Sequence, residues 1–260
     1  MRRPLYGMMV FFVAMFGIPL RTLSQGTGAS PEMPDLSGIW NRTPAEAGTG
    51  IYLDEANGAP FLGFTKDTPP LTPEAMEKYR ANRQGVSDPR ARGRGDQDPL
   101  EFCFPPGPTR IFTEPRPFEI RQIPEIAYII SEIDHVVRRI QTDGERFEGY
   151  PPTAHGYSVG HYDGDTLVAE TIEINEQSWL DSLGTPHSDA LRVVERFHRV
   201  SPDTLEIEFS FDDPKAFTRP WGGKKLYQLQ PASYEMPDHV LCEEFRKPGL
   251  RRSGYEFFGE

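Results

Sequence analysis

The chain has 260 residues, enough to bury one sizeable core, and 39 Asp and Glu against 28 Lys and Arg give a net charge of −11. The first 24 residues hold three Arg and no acid, so the remainder stands at −14. So acidic a body has no footprint for nucleic acid and no polybasic face for anionic lipid, and 24 Gly with 26 Pro argue for short elements joined by turns rather than long helical bundles.

Arg2 and Arg3 precede a largely apolar run over residues 5–20, followed by Arg21, Thr22, Leu23 and Ser24. A basic start, a short apolar stretch and small residues behind it form a secretory signal pattern, with cleavage after Ser24. The 16-residue run contains Gly and Pro and is short for a bilayer-spanning helix of about 20 residues. A periplasmic or secreted protein with no stable membrane association is expected, with 1–24 as signal peptide, 25–34 as a loose leader and 35–260 as one domain. In an oxidising compartment Cys103 and Cys242, the two cysteines present, are candidates for a disulfide. Joined, they would close a loop of about 140 residues, worth about 4–5 kcal/mol in the chain-entropy account. The alternative is two separate buried thiols. Neither lies in a C-x-x-C motif, so redox catalysis and structural zinc have no support.

Along the mature chain, residues 36–40 (LSGIW) read as a first strand and 44–71 as irregular. Thr72 as cap and Pro73 at the first helical position open one short helix over 74–83. The charged, glycine-rich stretch 85–99 reads as a flexible loop. From about Phe118 the pattern becomes a series of β-hairpins: 126–133 with 136–141, 157–162 with 165–174 around Asp163-Gly164, 190–200 with 204–212, and a last pair at 225–230 and 240–245.

Alternation sets registers. Leu205, Ile207, Phe209 and Phe211 share one face. A turn at Ser201-Pro202-Asp203 then pairs Phe197 with Ile207, Glu195 with Phe209 and Val193 with Phe211, and sets Arg196 against Glu208 and Arg192 against Asp212 on the wet face. His198 falls opposite Glu206. Glu195 is thereby left as a carboxylate on the apolar face. A two-residue Asp163-Gly164 turn likewise places Tyr157, Val159, Val168, Ile172 and Ile174 together, with Glu170 among them. Unpaired buried carboxylates are costly, so two inward acids imply a polar-lined cavity or a buried network with Tyr and Arg.

Gly156-Tyr157-Ser158-Val159-Gly160 matches G-x-S-x-G, yet a hairpin follows where a nucleophile elbow needs a helix, so the glycines are read as close packing. The six His show no metal-ligand spacing, and neither metal nor cofactor is expected. The connection 175–189 carries Trp179 and His187; it reads as a functional lid in which His187 beside Asp189 is a base, or as a Trp plug with an exposed His. Trp221 invites the same two readings.

The motifs Ser158-Val159-Gly160, Gly164-Asp165-Thr166-Leu167-Val168, Pro186-His187-Ser188, Val194-Glu195-Arg196-Phe197 and Thr218-Arg219-Pro220-Trp221, with Cys103-Phe104-Pro105-Pro106-Gly107 and Cys242-Glu243-Glu244, resemble a family of exported bacterial β-rich proteins of unknown function, which implies no activity. Gly38-Ile39-Trp40 is similar to the lipocalin G-x-W signature, which implies an antiparallel barrel, closed at one end by the Trp, around an apolar ligand.

The expected fold is mainly β: an antiparallel meander barrel, lipocalin-like, with one short helix near the N-terminus and a β-sandwich as runner-up. The expected function is binding of a small, largely apolar or aromatic molecule in the barrel cavity, with Trp179, Trp221, Phe197 and Phe209 as ligand walls. The alternative is a cofactor-independent lyase, isomerase or hydrolase in which Glu170, Glu195 or His187 moves protons and Tyr157 or Arg196 stabilises charge.

Overall fold

The computed structural model describes residues 33–42, 62–87, 91–94, 97–144, 149 and 151–236. The signal segment, most of the leader, Cys242 and the expected strand at 240–245 lie outside these residues. The described strands are β1 (Gly38–Arg42), β2 (Phe118–Ile123), β3 (Ile126–Ser131), β4 (Val137–Gln141), β5 (Tyr157–Asp163), β6 (Thr166–Ile172), β7 (Arg192–Ser201), β8 (Thr204–Asp212) and β9 (Trp221–Leu229). Each bonds to the next, and β9 returns to β1 through Trp40↔Leu229 and Arg42↔Tyr227, closing a barrel. Closure leaves no free sheet edge and sets the sandwich aside.

The pure antiparallel meander needs one correction. β4 and β5 run parallel, Ile140 facing Ser158, because the connection 142–156 carries the chain back to the end where β4 began. The helix lies where the capping signals put it: α1 (Pro73–Asn82) starts behind Thr72, whose side chain accepts from the Ala75 amide at 3.3 Å.

The two ends of the barrel differ. At one, two-residue turns at 124–125, 164–165 and 202–203 join neighbouring strands. There Trp40 is fully buried, its Nε1 donates to the Leu36 carbonyl at 3.0 Å, and the Arg199 guanidinium lies 5.4 Å from its ring. The described parts of the long connections 43–117, 173–191 and 213–220 gather at the other end. They hold α1 and the single-turn α2 (Gly107–Arg110).

The β7–β8 register is as the alternation demands, Glu195 facing Phe209, with a bulge between Arg199 and Ser201 that tightens the turn to Pro202-Asp203. The β5–β6 register is not. Its turn is Gly164-Asp165, and Val159 faces Glu170 while His161 faces Val168. Ser158, Leu167, Ala169 and Thr171 point inward and are buried, so Tyr157, Val168, Glu170 and Ile172 take the outer face. The larger aliphatics suggested the opposite assignment; the interior here needs small and hydroxyl-bearing side chains, for a reason that lies on β4.

The stretch 85–99 also departs from expectation in its described part. Asp98 is fully buried, and an added Cβ on Gly93 would lie 2.8 Å from the Trp179 ring, so this segment is packed rather than solvated.

Candidate functional site at the long-loop end

Part of the barrel interior is filled by the chain itself. Phe112, just after α2, is fully buried with its ring 5.1 Å from Phe118, 5.4 Å from Phe209, 6.1 Å from Phe197 and 6.3 Å from Tyr227, reaching side chains of four strands. Its carbonyl accepts from the Tyr227 hydroxyl at 2.9 Å and from the Arg42 guanidinium, which holds the backbone of the plug in place. Phe64 follows it, 4.7 Å from Phe209 and 4.9 Å from Phe211. That approach requires glycine at position 223, where a Cβ would stand 1.9 Å from the Phe64 carbonyl oxygen. Phe197 and Phe209, expected as ligand walls, therefore have the plug against them.

Glu195 is wholly buried and meets Arg138 of β4 in a two-pronged ion pair, with Nη1 to Oε1 at 2.8 Å and Nη2 to Oε2. The same guanidinium donates to Thr171 Oγ1 at 2.7 Å and Ser158 Oγ at 3.1 Å. This explains the inner face of β5–β6: Ser158 and Thr171 complete the hydrogen bonding of a buried Arg, as a low-dielectric interior demands. The serine of the G-x-S-x-G match is thus a buried ligand of Arg138. Glu170 sits on the outer face, bonded to the exposed Arg192 at 2.9 Å, and takes no part in the interior. Tyr157 shares that outer face, and Arg196 pairs with Asp163 outside at 3.3 Å. Of the carboxylates expected to be catalytic, one is tied to Arg138 and the other is at the surface.

A second buried ion network caps the loop end. Arg110 is bound to Asp98 through both terminal nitrogens (2.6 and 2.5 Å) and to Glu114 through Nε at 3.0 Å. Arg92 reaches the same two carboxylates, and Ser182 donates to Glu114 at 2.6 Å. Burial pushes the Asp98 carboxyl up, but Arg110 and Arg92 together outweigh it and hold it below its usual value. Glu114 follows the same pattern, with Ser182 adding to the two Arg. Trp179 lies 5.3 Å from the Arg110 guanidinium and is buried in this cap. It fits the plug reading of that residue.

The chemistry left over lies in the long connections. His187 is buried, not exposed, and it turns away from Asp189, which pairs instead with Lys215. Its Nε2 is 3.1 Å from Ser178 Oγ and its Nδ1 is 3.1 Å from the Ser188 carbonyl oxygen. Ser188 is itself fixed, donating from N and Oγ to Asp213 at 2.7 Å each. Burial draws the His187 pKa down, against the Ser188 carbonyl, Asp213, Glu176 and the Ser178 main chain. His155, half-buried beside the Gly107 backbone, is pushed down to about 4 by burial and, less strongly, by the charge of Arg138. Its Nδ1 is shielded from solvent and has no hydrogen-bond partner among the described residues, as is the case for Nε1 of Trp221. Trp221 packs 4.8 Å from Phe211 and 5.3 Å from Phe217.

Sequence reasoning placed Glu195 on the inner face and singled out Trp179, Trp221 and His187, the last with an exposed reading that its burial corrects; it missed Arg138, Ser178 and Phe112. Arg138 had a visible signal, since it shares its face of β4 with Ile140. Comparison with protein-family models, with curated proteins and with solved structures finds no match to this chain.

Proposed function

We propose that the protein is an exported binder of a small, largely apolar or aromatic molecule bearing one hydrogen-bond acceptor, held at the long-loop end beside Trp221. The observation that carries this reading is the Trp221 indole: a shielded N–H without an acceptor among the described residues, set among the rings of Phe211 and Phe217. A buried donor left unpaired costs about 1–3 kcal/mol, which a bound carbonyl or ether oxygen would remove. Aromatic walls with one directed polar group are the usual composition of a small-molecule site. A net charge of −11 favours a neutral ligand over an anionic one. Export rests on the basic and then apolar start of the chain, and pairing of Cys103 with Cys242 in an oxidising compartment belongs to the same reading.

The test uses prodan, a neutral fluorescent aromatic ketone, with the full mature chain. Saturable binding with a blue-shifted emission is expected. Trp221→Phe, which keeps an aromatic ring and removes the donor, should weaken binding by up to about tenfold. No saturable binding, or equal affinity in the variant, rejects the site.

A further inference from the structure

We propose that Ser178 and His187 form a nucleophile–base pair for acyl transfer from small neutral esters, a site separate from the Trp221 wall. The two side chains are 3.1 Å apart and both are buried, Ser178 with 4% and His187 with 5% of its surface exposed. The direction of the hydrogen bond follows from counting protons. A neutral imidazole carries one, and the Ser188 carbonyl oxygen at Nδ1 can only accept, so that proton sits on Nδ1. In that tautomer Nε2 accepts from the Ser178 hydroxyl, and the Ser178 main chain also bonds to the ring. Activation of serine needs this tautomer: a base within reach of the hydroxyl, held by a third group behind it. Here the third group is a main-chain carbonyl, kept in place by the two bonds from Ser188 to Asp213.

A second observation concerns the space around the hydroxyl. Gly107 has φ +81°, and a Cβ there would stand 2.7 Å from Ser178 Oγ and 3.3 Å from the Ala154 carbonyl oxygen. Glycine is required there by the backbone and by the contact, so its main chain packs directly against the Ser178 side chain. The charges bearing on His187 are those of Asp213 and Glu176, both negative. An anionic substrate would be repelled, so the site suits an uncharged ester.

In the reaction Ser178 Oγ attacks the acyl carbon while its proton passes to His187 Nε2. The ester C–O bond breaks, and the departing alkoxide takes that proton and leaves as the alcohol. Water then adds to the acyl-serine, giving a proton to Nε2; the acid is released and Ser178 Oγ recovers its hydrogen. No oxidant, metal or further reactant enters the balance.

The experiment treats the full mature chain with phenylmethanesulfonyl fluoride and follows intact mass and the modified peptide, alongside turnover of p-nitrophenyl acetate. Expected is a single adduct on Ser178, absent in Ser178→Ala. Labelling and turnover should fall about a hundredfold or more in His187→Gln and stay unchanged in His161→Gln, an exposed residue on the outside of β5. The rate should rise with pH around a midpoint below 6.5, the ordinary histidine value, because burial disfavours the imidazolium. If Ser178 stays unmodified and ester turnover does not exceed that of Ser178→Ala, the proposal is overturned. It is overturned equally by a wild-type midpoint at or above 6.5, a readout that does not depend on the His187 variant folding. Prodan binding at Trp221 decides the other reading independently of either result.

Discussion

Glu195 and Glu170 belong to adjacent strands and carry the same group, yet removing each should have a different effect. Glu195→Ala would leave the Arg138 guanidinium charged in the barrel interior with two hydroxyls and the Pro108 carbonyl but no counter-charge, a loss of about 3–5 kcal/mol. Urea unfolding should show it directly. Replacing both members, Arg138→Met with Glu195→Leu, should recover most of that loss, because the interior then holds no charge to desolvate. Glu170→Gln should change stability by less than about 1 kcal/mol, since its partner Arg192 is solvated. A loss of several kcal/mol in Glu170→Gln, or none in Glu195→Ala, would contradict this assignment. Glu195 was legible in the sequence because its neighbours on β7 and β8 alternate cleanly. Glu170 was misread because Val168 and Ile172 outweigh Ala169 and Thr171 in hydrophobicity. What decides that face is Arg138, which reaches β5 and β6 only through the parallel β4–β5 pairing, a long-range fact with no local signature.

At the scale of elements, the connections of the loop end hold two histidines that burial keeps neutral. The sign of their effect on stability is fixed by linkage. His155 titrates near 4 in the folded protein against 6.5 in the unfolded chain, and His187 is also lowered. Below pH 6.5 the unfolded chain therefore takes up protons that the folded one refuses. Their contribution is complete above that value and is lost as pH falls toward 4. Asp98 and Glu114, held down by Arg110 and Arg92, act in the same direction at still lower pH. Thermal unfolding should thus show a midpoint falling between pH 6.5 and 4, with a shallower slope in His155→Gln and in His187→Gln. A flat profile over that range would contradict the burial of both rings. Sequence pattern singled out the connection 175–189 from its length and its Trp, as a functional lid or as a Trp plug. The partners of His187 escaped it, because Ser178 lies nine positions back and the neighbouring Asp189 is pulled outward by Lys215.

The described residues form a barrel whose interior is completed by a segment from outside the sheet. The β-rich class and the β7–β8 register were written in the alternation of the strands, while closure into a barrel rather than a sandwich was not. The plug was not, since Phe112 lies in a short stretch with neither strand nor helix periodicity. Phe112→Ala tests that arrangement. The carbonyl of residue 112 keeps its bonds from Tyr227 and Arg42, so the segment should stay seated while the ring between Phe118, Phe197 and Phe209 is lost. Truncating a buried Phe costs about 3–5 kcal/mol, and a void lined by such rings stays dry and accepts small apolar molecules. Benzene should therefore raise the melting temperature of Phe112→Ala in a concentration-dependent way and leave the wild type unmoved. If the ring instead kept a ligand chamber free, the variant would lose little stability and benzene would stabilise wild type and variant alike. Prodan measured in the same variant separates the two regions: binding governed by Trp221 should persist, because Phe211 and Phe217 rather than Phe112 pack against that indole.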